Sequence, residues 1–197
     1  MKPYFDTHST GQLLLIVLVA WLIMEAIQFA RQHQWRAGAT SSRRRSFWLG
    51  FGVCLIVTNL ALYLGPSSFP GAAIRPGAVA FAAGMVIMVT GVVLRGWSFY
   101  ALGRYFTAVI KVSPDQPVVT KGPYRLLRHP SYAGGLLAEV GIAVAAANWV
   151  SVAVFAIAWV GIIAWRIHIE ETALQSALGD RYRAYASHHK RLIPLVW

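Results

Sequence analysis

The densest chemistry in the chain is the run Lys121-Gly-Pro-Tyr-Arg-Leu-Leu-Arg-His-Pro-Ser-Tyr132. It brings together three cations (Lys121, Arg125, Arg128), two phenols (Tyr124, Tyr132) and the imidazole of His129. Pro123 and Pro130 break helix, so this backbone is irregular, and it opens directly into an apolar stretch. Irregular backbone at membrane depth is tolerated only where it is buried in protein or lines a cavity. A basic membrane anchor with an interfacial tyrosine would account for the cations. It would not account for the rigid turn His129-Pro130-Ser131-Tyr132, which an anchor does not need. A second constellation is Arg166, Glu170 and Glu171. Arg166 and Glu170 are four apart and share a helix face. Arg before Glu is the weaker order for an i,i+4 ion pair, so helix stabilisation is a poor motive; an arginine snorkelling to the headgroups is the plainer alternative. Glu171 points about 100° away from Glu170 and reads as solvated. Glu25 and Glu139 are carboxylates inside apolar stretches, which makes them functional candidates. Glu25 lies near the edge of its stretch. Glu139 is deeper and is expected to face the bundle interior; neither has an assigned role.

Several other signatures are missing. Gly50-Phe51-Gly52 begins like a dinucleotide loop, but Leu55 stands where the third glycine belongs and no strand precedes it. No Walker loop or HExxH occurs. His188-His189 has no ligand-like neighbours and reads as solvated surface, so no metal is expected.

The elements that must position these residues are membrane spans. The chain has 197 residues, 57% hydrophobic and only 13% charged, with a mean hydropathy of +0.53; soluble domains carry about 25% charged residues. A span needs about 20 apolar residues. Residues 11–30, 47–64, 77–97, 131–147 and 149–168 meet that need, the last two as a tight antiparallel hairpin around Asn148. Gly84, Gly91, Gly134, Gly135 and Gly141 allow close helix approach. No convincing cleavage site follows the first stretch, which reads as a retained span. The loop 65–77 is rich in Gly, Pro and Ser and reads as a short connection. From Ile169 polarity rises while Leu174, Leu178, Tyr182 and Tyr185 keep helical spacing. Gly179 reads as a C-cap and Asp180 as a new N-cap, giving two short amphipathic helices that fold back. The apolar end 192–197 is expected near the interface. Cys54, alone in an apolar run, reads as simple packing.

Net charge is +11. Five basic residues fall in 31–45, five in 98–130 and five from Arg166 onward, which is fifteen of the 18. Because they sit between apolar spans, they point to a membrane surface and not to nucleic acid. The positive-inside rule puts the N-terminus outside and the C-terminus in the cytoplasm. The fold expected is therefore all-α: an integral membrane bundle of about five transmembrane helices with a cytoplasmic C-terminal amphipathic segment.

These residues resemble the isoprenylcysteine carboxyl methyltransferase family. The resemblance rests on Leu102-Gly103-Arg104-Tyr105-Phe106-Thr107, Val119-Thr120-Lys121-Gly122-Pro123-Tyr124 and Arg128-His129-Pro130-Ser131-Tyr132-Ala133-Gly134. It continues through Arg166, Glu170-Glu171, Leu174, Gly179, Tyr182, Tyr185, Arg191 and Pro194. It implies one membrane domain over 1–197, with 95–197 as the methyltransferase-like half and 1–94 as spans of unassigned role. It implies S-adenosyl-L-methionine bound from the cytoplasmic side without a Rossmann fold. Tyr124, His129, Pro130, Ser131 and Tyr132 would line that pocket, with backbone contacts from Gln116, Pro117, Val118 and Val119. Glu170 would contact the cofactor and Arg166 would meet the acceptor carboxylate, as a guanidinium fork does. The implied reaction is carboxyl O-methylation of an isoprenylcysteine-like or other lipophilic acceptor arriving from the bilayer. A prenylated protein tail is not itself implied, since the short basic loops offer no docking domain. The related alternatives are a phospholipid N-methyltransferase and an NADPH-dependent sterol-type reductase; a non-enzymatic membrane protein is the third. The multi-pass chain would lie in the inner or plasma membrane if bacterial.

Overall fold

Away from water, a chain must satisfy its own backbone donors and acceptors, and single helices do so locally. The computed structural model describes residues 8–32, 41–105, 112 and 115–193. Five long or apolar helices, α1 (His8–Gln32), α2 (Ser41–Ser68), α3 (Gly77–Leu102), α4 (Pro130–Ala145) and α5 (Trp149–Leu178), precede the short α6 (Asp180–His188). Among the described residues, Thr10–Ile27, Gly77–Tyr105 and Trp149–Leu178 are long and apolar enough to cross a membrane. The chain is a multi-pass integral membrane protein. Lys2, Arg36, Phe106, Thr107, Lys111 and residues 194–197 lie outside the described residues.

The bundle is built on α3 against α4. A Cβ on Gly134 would lie 2.7 Å from the Arg95 backbone nitrogen, and Cβ atoms on Gly84, Gly91 and Gly141 would meet the facing backbone closer still. Gly84 and Gly91 are seven apart on α3, as are Gly134 and Gly141 on α4, so each pair presents one side-chain-free strip along its helix. The two backbones touch along these strips, as small-residue faces permit. Met88, Ala138, Ala143 and Phe155 are fully buried beside this seam.

At the far end of the bundle Asn148 caps α5, accepting from the amides of Val150 and Ser151. It also donates to the Phe69 carbonyl at 3.0 Å. Ser151 donates to the Ala61 carbonyl at 2.7 Å, tying α2 to α5. These bonds make the tight hairpin turn around Asn148.

Three expectations are corrected. The second span begins at Ser41 and not at 47, so Arg43, Arg44 and Arg45 lie in helix and not in a loop, and it runs on to Ser68, past the expected start of the 65–77 connection. The helix of the fifth span runs on past 168, and the tail is not two short helices. The stripe Ile163, Ile167, Glu171, Leu174, Leu178 keeps one helical period, so the rise in polarity changes only the outer faces and α5 continues for 30 residues. It stops at Gly179 (φ +55°), which caps both α5 and α6. Asp180 is not the cap. It lies in the first turn of α6 and pairs with Arg183.

Candidate functional site

The site lies where α3 ends, α4 begins, α5 runs on and α6 folds back. The two prolines shape it. Pro123 starts a single 3₁₀ turn, Gly122–Arg125, and Pro130 stands at the first position of α4, where its missing N–H costs no hydrogen bond. Two remote segments hold the stretch between them. The Tyr185 hydroxyl of α6 donates to the carbonyls of Tyr124 (2.8 Å) and Leu127 (3.1 Å). The tail then runs alongside: the amide of Arg128 donates to the Lys190 carbonyl at 2.7 Å and that of His129 to the Arg191 carbonyl at 3.0 Å. Leu192 is buried with Leu127, Ile163 and Ile167.

These elements border a cleft of about 780 Å³, counting its open mouth. One wall is Gln116, Pro117, Val118 and Val119. The second is Tyr124, Arg128, His129, Ser131 and Tyr132. The third is Glu170, Leu174 and Leu178 of α5, and the fourth is Tyr182 and Tyr185 of α6. Of the expected site residues, two do not line the cleft. Pro130 is buried behind it. Arg166 reaches it through Tyr132: its Nη2 donates to the Tyr132 hydroxyl (3.2 Å), which donates to Glu170 Oε2 at 2.7 Å. The pair expected on one helix face is thus joined by a phenol from another helix. His129 stacks on Tyr132, with ring centroids 5.7 Å apart.

Glu171 overturns the expectation that it is solvated. It is 5% exposed. Its Oε1 pairs with Arg128 Nη1 at 2.7 Å and lies 3.2 Å from His129 Nε2. Its Oε2 accepts from Arg191 Nε (3.0 Å) and Nη2 (2.9 Å). One buried carboxylate therefore fastens the 122–129 segment and the tail to α5. The sequence signal for this was its place on the apolar stripe of α5, one turn after Ile167. The phenols of Tyr124, Tyr182 and Tyr185 are pushed above their usual range by burial, with Glu170 adding to the effect at Tyr124 and Glu171 at Tyr182. They remain neutral hydrogen-bond donors. Arg191 is held above its ordinary range by its bond to Glu171.

Fold and site together define a polytopic helical membrane protein with an aromatic and carboxylate cleft at one end of its bundle. Residues 83–176 match the model of the isoprenylcysteine carboxyl methyltransferase family. This stretch runs from α3 to the last turns of α5. It is 36% identical over 115 residues to protein-S-isoprenylcysteine O-methyltransferase A of Arabidopsis thaliana, covering 57% of this chain and 58% of that protein. It is 32% identical over 108 residues to protein-S-isoprenylcysteine O-methyltransferase of Schizosaccharomyces pombe, covering 54% and 46%. The chain thus spans about half the length of these curated relatives. A solved structure of the eukaryotic intramembrane Ras methyltransferase, an isoprenylcysteine carboxyl methyltransferase, has the same fold. Its TM-score is 0.66 at 20% identity, over 91% of this chain and 67% of that one.

Proposed function

We propose that the chain is a membrane methyltransferase that uses S-adenosylmethionine and O-methylates the carboxylate of an isoprenylcysteine-like or other lipophilic acceptor. The observation that carries this reading is the Glu170–Tyr132–Arg166 chain at the cleft, which sets an anionic acceptor of hydrogen bonds beside a cationic fork. The residues present suit the donor. Its base and sulfonium find aromatic faces in Tyr124, Tyr182, Tyr185 and His129. Its hydroxyls and ammonium find a carboxylate in Glu170. Its carboxylate finds Arg128, whose Nε is buried without a hydrogen-bond partner among the described residues. Bound there, S-adenosylmethionine supplies an electrophilic methyl group on a sulfonium. Arg166 would hold the acceptor carboxylate. That group is already nucleophilic when ionised, so the protein need supply no base: the methyl group would pass from the sulfonium sulfur to the carboxylate oxygen, the C–S bond breaking as the C–O bond forms, with no proton transfer. What the protein must supply is alignment in a closed site.

The division of the chain into 95–197 as catalytic half and 1–94 as accessory spans is part of this proposal. So is the orientation, with the site in the cytoplasm and the N-terminus outside, which rests on the fifteen basic residues in 31–45, in 98–130 and from Arg166 onward. The donor would arrive from the cytosol and the acceptor from the bilayer. Calorimetry on the detergent-purified protein tests the reading. Binding of S-adenosylmethionine or its demethylated product, with none for NADPH, is the expected result. The reverse pattern would make it a reductase. Lipid mass spectrometry of cells with and without the gene then identifies the acceptor.

A further inference from the structure

Outside the cleft, α1 and α3 share an ion pair that reaches toward it. Glu25 Oε1 accepts from Arg95 Nε, and Oε2 accepts from Nη2 at 3.1 Å. Trp21 Nε1 donates to the same Oε1 at 3.2 Å, fixing the carboxylate. The remaining arm of the guanidinium, Nη1, donates to the carbonyl of Ser131 at 2.9 Å. Gly135 gives it room, because a Cβ there would lie only 3.3 Å from Nη1. The rest of α1 is loosely held: among the described residues, Leu14 is its one buried side chain.

We infer that Glu25 and Arg95 are positioning residues, through which α1 fixes the first turn of α4 and thereby Ser131 and Tyr132 in the cleft. The kinetic part of this inference rests on the function proposed above. A guanidinium has five donors in a fixed plane, and a two-point fork on Glu25 leaves little freedom for the third arm. With the fork closed on Glu25, Nη1 is therefore aimed at the Ser131 carbonyl. The next residue, Tyr132, carries the hydroxyl that joins Glu170 to Arg166. A shift of about 1 Å in a group that aligns reactants can cost on the order of 100-fold in rate. The first spans, which carry no residue of the cleft, then have a task in the chemistry.

The competing reading is a staple that only docks α1. Three variants separate the two: Glu25→Gln, Gly135→Ala, and the charge exchange Glu25→Arg with Arg95→Glu. Gly135→Ala keeps every charge and displaces only Nη1, so it serves if Glu25→Gln does not fold. Two readouts are used: methyl-transfer kinetics, and hydrogen–deuterium exchange on the protein without added ligand. The amides of Tyr132 and Ala133 donate to the His129 carbonyl and report the turn directly. Glu25→Gln and Gly135→Ala should each lower turnover about 10-fold or more, with exchange at 132–133 faster by roughly tenfold. The charge exchange re-forms the α1–α3 pair but sets a carboxylate opposite the Ser131 carbonyl, so it should stay impaired. Recovery by the charge exchange, or wild-type turnover and exchange in both Glu25→Gln and Gly135→Ala, would overturn the inference. If the wild type transfers no methyl group and yet exchange at 132–133 rises in these variants, the positioning stands and the proposed reaction falls.

Discussion

Glu170 and Glu171 are neighbours in sequence, and replacing each by glutamine should give opposite defects. Glu171→Gln removes the charge from a carboxylate that is 5% exposed. Its pair with Arg128 is the strong one, since the arginine side chain is only 13% exposed. Breaking a buried pair costs about 3–5 kcal/mol. Glutamine keeps one acceptor oxygen, which moves the estimate to the lower end. Arg191, 38% exposed, can return to water and adds at most about 1 kcal/mol. The total is about 3 kcal/mol, or roughly 100-fold in an opening equilibrium. The loss falls on the junction of the tail with residues 127–129, because the apolar seam of α3 and α4 does not depend on it. Tryptic cleavage after Arg191 follows the population of the open form when opening is fast, and should rise by about that factor. Glu170→Gln loses one bond from Tyr132 at the edge of the cleft and should leave cleavage within about threefold. It should instead weaken S-adenosylmethionine by about 10- to 100-fold, the value of one charge-assisted contact. Equal cleavage of the two variants, or faster cleavage of Glu170→Gln, would refute the roles assigned to both residues.

Arg166→Lys should lower methyl transfer by about one to two decades, because an ammonium lacks the planar fork, while donor affinity measured by calorimetry stays within about twofold of wild type. Full turnover of that variant would point to an amine acceptor. Gly91→Leu should abolish recovery of monodisperse protein from detergent, since its side chain must enter the α4 backbone at Ala138. Gly161→Leu, with open space around it, should elute as wild type does. In a Cys54→Ser background, an impermeant maleimide added to intact cells should label Ser67→Cys and spare Ser187→Cys; both positions are exposed, and the opposite pattern would invert the proposed orientation.

The helices were legible from hydropathy alone because apolar length is a property of each segment by itself. The run 121–132 was legible as irregular backbone in need of a cavity because of its prolines and polar groups, whereas the grouping of 116–119, 124, 129, 131 and 132 at one pocket came from the family resemblance and not from spacing. Glu171 was not legible. Its partners Arg128 and Arg191 are 43 and 20 positions away in sequence, and a carboxylate on an apolar stripe looks like an interruption until a folded chain brings cations to it. The continuity of α5 was lost for a related reason. Hydropathy falls after 168 because the outer faces of the helix become polar, whereas one face keeps its packing to Leu178. Arg166 and Glu170 were placed on one face correctly, but the phenol between them belongs to α4, and helix spacing carries no information about an insertion from a neighbouring helix.

The length of α5 has a consequence for the fate of the product. Its 30 residues span about 45 Å at 1.5 Å per residue, against a hydrocarbon thickness of about 30 Å. Counted from Trp149, about 30 Å of hydrocarbon would end near residue 168, between Arg166 and Glu170, and a single helical turn would then connect oil to water. In the proposed reaction an acceptor is held there by its one negative charge. Methylation erases that charge, and with it both the attraction to Arg166 and the solubility that kept the head group at the surface. On that proposal the ester would partition deeper than the acid that entered, and release would need no opening of the protein toward the cytosol: the bilayer would extract the product and the spent, water-soluble donor would depart by the other phase.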